Sequence, residues 1–189
     1  MEKIKALLMH GFGGGYLRVL FYDIETAPII AAVWGLYDQN IPYHHVVQDW
    51  HIICAAWKWE GGEIESIAAK GKNDKTVVKK LHGLFHSADV VVAHNGDNFD
   101  YKKLMARVIQ YGLDPLPPVT MVDTLKQSRK VGFTSRKLGD LGKILDTGNK
   151  LETERGLWVL AAQGDKKAIK ALEVYCRGDI PPLEKLYYK

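Results

Sequence analysis

The stretch FYDIETAP (residues 21–28) constrains the fold of this chain more than any other. It closes a run, LRVLFYDIE (17–25), whose β-branched and aromatic residues read as a central, buried strand. Side chains two apart on a strand share a face, with their Cα atoms roughly 6.5–7 Å apart. Asp23 and Glu25 therefore point the way Val19 and Phe21 point, into partly apolar surroundings. Like charges held so close repel each other and lose hydration. A fold that keeps both acids needs something at this strand end to compensate them.

The rest of the chain can supply a core around such a strand. Its 189 residues are 47% hydrophobic, enough for one globular domain and too apolar for disorder. The net charge of +4 and pI of about 8.9 are compatible with a polyanionic partner without specifying one. Cys54 and Cys176 form no Cys-x-x-Cys pattern, which argues against a zinc site of that kind and for two buried, reduced thiols in a cytoplasmic protein. No apolar run approaches the roughly 18 residues of a membrane helix. Residues 1–16 read as a leader or an extra edge element. Their GFGGG precedes a strand, whereas a phosphate loop links a strand to a helix.

Further strands are expected at 51–60, at 63–69 after a Gly61-Gly62 hairpin turn, at 89–93 and at 119–123. Amphipathic helices are expected at 74–88, capped by Asn73 or Asp74, and at 98–112, ended by Gly112. Further helices follow Asp123 and start at Ser135, then at 156–163 and from the cap Asp165. The pair Pro181-Pro182 predicts a break or kink after Ile180, with a separate last helix over PPLEKLYY. This order indicates an α/β sandwich, a mixed sheet with helices on both faces, forming one domain over 17–189.

Three acidic clusters stand at element ends. Asp23 and Glu25 end the first strand, where α/β sheets bind their ligands. Asp97 and Asp100 follow the strand that ends at Ala93. Tyr175 and Asp179 lie four apart on a helix, one turn from each other on the same face. Together, Asp23-Ile24-Glu25-Thr26, Asn95-Gly96-Asp97-Asn98-Phe99-Asp100 and Tyr175-x-x-x-Asp179 resemble, in order and spacing, the three motifs of the DnaQ-like, DEDD-type 3′-5′ exonucleases of the RNase H-like superfamily. The resemblance covers 17–189 and is nearest in flavour to small stand-alone phage and bacterial proteins of the YprB-like group. Val174 stands where the histidine branch has its histidine, so the chain resembles the tyrosine branch, DEDDy.

The resemblance implies an RNase H-like three-layer sandwich and a metal-dependent 3′-5′ exonuclease that cuts single-stranded 3′ ends to nucleoside monophosphates. Asp23, Glu25, Asp100 and Asp179 would hold two divalent cations, Mg²⁺ or Mn²⁺, and Tyr175 would orient the attacking water. Carboxylates suit this role because hard ions prefer oxygen ligands, and two such ions about 3.5–4 Å apart stabilise both the attacking and the leaving oxygen. Thr26 and Asn95 would contact the terminal nucleotide. The basic set Lys126, Arg129, Lys130, Arg136, Lys137, Lys143 and Lys150 is offset in its region only by Asp123, Asp140 and Asp146, and could track phosphates or form a solvated face.

Each acid alone has a plainer reading, as a strand terminus, a turn or a cap. Asp97 reads as a helix-start acid and Asp123 as a supporting or capping one. His94 reads as hydrogen-bonded at the strand end, and most tryptophans as packing. DNA is favoured over RNA by the resemblance alone. An exoribonuclease with the same site, a catalytically inactive nucleic-acid-binding module and an RNase H-type endonuclease are the alternatives. A polymerase, replication or repair protein acting in trans and a cytoplasmic location, the host's if the chain is phage-encoded, complete the expectation.

Overall fold

The computed structural model describes residues 17–148, 153, 154 and 156–189. The leader or edge element at 1–16, Lys150 and part of the loop before residue 156 lie outside them. Strands β1 (Val19–Thr26), β4 (Ile52–Trp59), β5 (Ile64–Ala68), β6 (Val90–Ala93) and β7 (Thr120–Asp123) form one sheet in the order β5-β4-β1-β6-β7. β4 runs antiparallel to β1 and β5, and β6 and β7 run parallel to β1. A separate pair, β2 (Ile30–Ala31) and β3 (Val46–Gln48), lies between β1 and β4 in the chain.

The helices are α1 (Lys75–Phe85), α2 (Asp100–Gln110), α3 (Thr124–Ser128), α4 (Leu138–Ile144), α5 (Gly156–Ala162) and α6 (Lys166–Tyr187). The alternation of β1 divides the core between them. Leu20, Tyr22 and Ile24 pack with Val77, Leu81 and Phe85 of α1 and Leu104 and Val108 of α2. Val19 and Phe21 pack with Ala161 of α5 and Leu172, Cys176, Ile180 and Leu183 of α6. Helices thus cover both faces of a mixed sheet. All four residues of β6 are buried, as a strand covered on both sides requires.

Two expectations are corrected. The chain does not break at Pro181-Pro182: α6 runs through both prolines. The rule against interior proline counts the missing N–H donors and the ring clash, but not burial. Here Ile180, Pro182 and Leu183 are buried, and the rings of Tyr187 and Tyr188 pack on Phe21 with centroids 5.5 and 6.4 Å away. Sheet contacts hold the last turns in helical form. The second correction concerns α4, which starts three residues later than expected. Ser135 does not cap it directly but bonds Asp140 in its first turn and, at 3.4 Å, accepts from the N–H of the capping residue, Lys137. The tryptophans divide: Trp57 is buried and Trp50 and Trp59 pack on the core, whereas Trp34 is 92% exposed on the β2–β3 segment.

Candidate active site

β1 carries two acids to its C-terminal end, on the face that meets α6. The register between β1 and β4 slips between Glu25 and Thr26, which pair with Cys54 and Ile52. Such irregularities re-aim side chains beside functional sites. α6 contributes Asp179, 2% exposed and held in regular helix, and Tyr175 one turn before it, 9% exposed. Oxygens of Asp23, Glu25 and Asp179 all lie within 4.8 Å of one another.

Asp100, the first residue of α2, approaches from the other side. It is 3% exposed, and its Oδ1 accepts the backbone N–H of Ile24, the residue between Asp23 and Glu25, at 3.2 Å. The preceding turn sets this approach. Asn95 adopts φ 67°, the left-handed region that asparagine tolerates better than most residues. A Cβ on Gly96 would fall 2.5 Å from that of Ala93. Asp123, at the end of β7, gathers the turn: Oδ1 accepts from the N–H groups of Asn95, Leu125 and Lys126 at 2.9, 2.9 and 3.2 Å, and Oδ2 from that of Asp97 at 3.3 Å. Asp123 thus caps α3 and ties it to the turn. Asp97 faces Lys126 at 3.5 Å. His94 bonds Thr124 through Nδ1 at 2.9 Å and the carbonyl of Arg136 through Nε2 at 3.0 Å.

The electrostatics follow from this crowding. Burial first, then repulsion from Glu25, Asp100 and Asp179, pushes the carboxyl of Asp23 well above its ordinary range, against a hydrogen bond from Cys176. Burial raises Asp100 to about 7. Its backbone donors, Ile24 among them, work against that rise, while Glu25 and Asp123 add to it. Clustered carboxylates of this kind, all oxygen donors, suit a hard divalent cation. The donor set therefore fits the metal that the motifs imply.

Two neutral donors at the site are not among the expected site residues. The indole N–H of Trp158 in α5 donates to Oε2 of Glu25 at 2.8 Å, and its ring meets that of Tyr175 edge-on, with centroids 5.5 Å apart. The thiol of Cys176 donates to Oδ2 of Asp23 at 3.3 Å and to its carbonyl at 3.4 Å. Cys176 follows Tyr175 in the third motif, so its position next to the site was legible. Trp158 lies outside all three motifs.

Two clefts flank the acids. One is lined by Asp23, Asp179, Asn95, His94, Arg136 and Lys137 among others. The second, beyond Thr26, is lined by Ala27, Pro28, Ile29, Trp50, Lys103 and Trp158. The structure thus brings Asn95, Arg136 and Lys137 to the acids and Thr26 to the neighbouring cleft. Lys126 and Arg129 are exposed and line neither.

A family model of the RNase H superfamily matches residues 20–189. The chain belongs to that superfamily. Over 72 residues it is 38% identical to a PolC-type DNA polymerase III from Ureaplasma parvum, covering 38% of this chain and 5% of that one. Over 43 residues it is 44% identical to a DNA polymerase from Methanocaldococcus jannaschii, covering 23% of this chain and 3% of that one. A solved family B DNA polymerase from the archaeon Pyrobaculum calidifontis shares the fold, with a TM-score of 0.68 and 18% identity over 95% of this chain and 25% of that one. The chain thus matches a twentieth or less of each curated relative. The family supports the DnaQ-like, RNase H-like resemblance of the motifs. Among the described residues, no helix is long and apolar enough to cross a membrane.

Proposed function

We propose that this chain is a metal-dependent 3′-5′ exonuclease that hydrolyses single-stranded 3′ ends, DNA in preference to RNA, to nucleoside monophosphates. The observation that carries this reading is the convergence of Asp23, Glu25 and Asp179, with Asp100 bonded to the backbone between the first two. In this reading Asp23, Glu25, Asp100 and Asp179 would hold two divalent cations, Mg²⁺ or Mn²⁺. When bound, such a pair supplies charge stabilisation to both oxygens of an in-line displacement at phosphorus.

The chain's own groups do the rest. Tyr175 orients the attacking water. Its phenol ionises near 10 when free, so it acts chiefly as a hydrogen-bonding guide. Thr26, in one cleft, and Asn95, in the other, seat the terminal nucleotide. Arg136 and Lys137, on the cleft wall with Asp23, meet backbone phosphates. The DNA preference, and a polymerase or repair partner acting in trans in the cytoplasm, rest on the motifs and on relatives that are DNA polymerases.

The test uses single strands of DNA and RNA labelled at the 3′ or 5′ end, with Mg²⁺, Mn²⁺ or EDTA, beside Asp23→Ala. Mononucleotides released from the 3′ end, only with metal and only by the wild type, are expected. Equal activity in Asp23→Ala or in EDTA contradicts the mechanism, and degradation from the 5′ end contradicts the polarity. Binding without hydrolysis identifies a binding module, and faster cleavage of RNA moves the substrate class.

A further inference from the structure

Trp158 touches three parts of the site at once, and none of the three motifs contains it. Its N–H holds Oε2 of Glu25 at 2.8 Å. Its ring packs edge-on against Tyr175, with an interplanar angle of 83°. It also forms part of the wall of the cleft beyond Thr26, with Trp50 and Lys103. Only tertiary packing explains the first two contacts, since Trp158 stands 133 residues after Glu25 and its helix packs on the helix that carries Tyr175. Gln48 in β3 binds the same short helix, donating to the carbonyl of Ala162 at 3.1 Å.

A carboxylate has two oxygens and about four lone-pair directions. A donor on one oxygen fixes the plane of the group and leaves acceptor capacity for a cation. Hydrogen bonds from such outer groups orient metal ligands, and their loss commonly weakens metal affinity or activity about 10- to 100-fold. The edge-on contact likewise limits the rotation of the Tyr175 ring, and with it the position of the phenol. A side chain that does both from the wall of a substrate cleft can link filling of the cleft to the placement of ligand and phenol.

We infer that Trp158 is a positioning residue of the exonuclease site, its N–H setting Glu25 for the cation and its ring setting Tyr175 for the water. This inference rests on the proposed nuclease reading for its catalytic half and on the carboxylate cluster alone for its metal half. The two halves are separable, because phenylalanine keeps a ring and loses the N–H, whereas alanine loses both.

The experiment measures Mn²⁺ binding by calorimetry, without nucleic acid, and then Mn²⁺ titrations of 3′-end hydrolysis, for the wild type, Trp158→Phe, Trp158→His and Trp158→Ala. Melting curves in EDTA report folding. Trp158→Phe is expected to bind Mn²⁺ about tenfold more weakly and to recover kcat to within about threefold at saturating metal. Trp158→His, which keeps a ring N–H, is expected to recover part of the affinity lost in Trp158→Ala. Trp158→Ala is expected to lose a further tenfold or so in kcat that metal does not restore. Wild-type affinity in both Trp158→Phe and Trp158→Ala overturns the inference, as does equal weakening in Trp158→His and Trp158→Ala. A wild type that binds Mn²⁺ with the expected Trp158 dependence but cleaves nothing upholds the metal half and overturns the nuclease reading.

Discussion

Two aspartates on opposite sides of the sheet, Asp74 buried and Asp23 half-buried, differ in whether the described residues supply a counter-charge. Asp74, at the start of α1, is fully buried. It receives the guanidinium of Arg107 at 2.6 Å, the hydroxyl of Tyr111 and the N–H of Ile52 at 2.8 Å. Asp23 receives a thiol hydrogen and faces three further carboxylates. The first arrangement fixes α1, α2 and β4 to one another and is complete within the protein. The second makes sense as half of an interaction whose other half is a cation from solution. Both regions bury acids, and only the second holds its acid where a ligand could reach it, in the wall of a cleft.

That contrast can be broken from either side. The largest effect is expected at Asp23: replacement by alanine should lower the rate of 3′-end hydrolysis by about a thousandfold, on the order of 4 kcal/mol of barrier. The same protein should melt no lower than the wild type in EDTA, which calorimetry reads directly. The reverse pattern is expected at Arg107. Its replacement by alanine strands Asp74 as a buried charge and should cost about 3–5 kcal/mol of stability. The melting temperature should fall by roughly 6–20 °C, with the hydrolysis rate at 25 °C kept. Should Asp23→Ala unfold the protein while Arg107→Ala is harmless, the assignment of the two regions is inverted.

The effect of pH sharpens the comparison. A carboxyl whose pKa rises on folding binds more protons in the folded state than in the unfolded one, so stability falls as pH rises between the two values. For Asp100, at about 7 in the folded protein, and for Asp23, the metal-free melting temperature should drop as pH rises from about 4 to about 7. Mn²⁺ at a hundred times its Kd should return about 2.7 kcal/mol at neutral pH, and less as acid reprotonates the ligands. Asp23→Asn should flatten the pH curve and abolish the Mn²⁺ gain.

Smaller effects belong to the supports. Asp123→Ala removes a helix cap that also gathers the Asn95 turn and should cost about 1–2 kcal/mol, read by chemical denaturation. Replacing Arg136 and Lys137 together should raise KM a few-fold and shallow its salt dependence, with kcat near wild type. An unchanged salt dependence would remove both from the path of the strand.

Much of this was legible in the sequence because the acids sit at element ends. The apolar runs at 17–25 and 89–93 predict the strands, and the intervals after them predict where Asp23, Glu25 and Asp100 emerge. The helical spacing of Tyr175 and Asp179 needs only the 3.6-residue period. Features made by long-range packing were not legible. Continuation of α6 through Pro181-Pro182 depends on Phe21, more than 150 residues earlier, receiving Tyr187 and Tyr188. Asp74 reads in sequence as one of two candidate caps for α1. Its side chain instead turns to Arg107, and Asn73 accepts the N–H of Lys75 at 3.1 Å. Trp158 reads as one apolar residue of a short helix, because its partner Glu25 lies at the other end of the chain.

The central claim is that the counter-charge for Asp23, Glu25 and Asp179 is a divalent cation. Titration of Mn²⁺ followed by electron paramagnetic resonance, which reads free and bound ion separately, tests it most directly. Saturable binding by the wild type and by Arg107→Ala below its melting temperature, lost in Asp23→Asn and in Asp179→Asn, is the result this account predicts. Wild-type binding that survives both aspartate replacements, or no binding by the wild type at neutral pH, would contradict it.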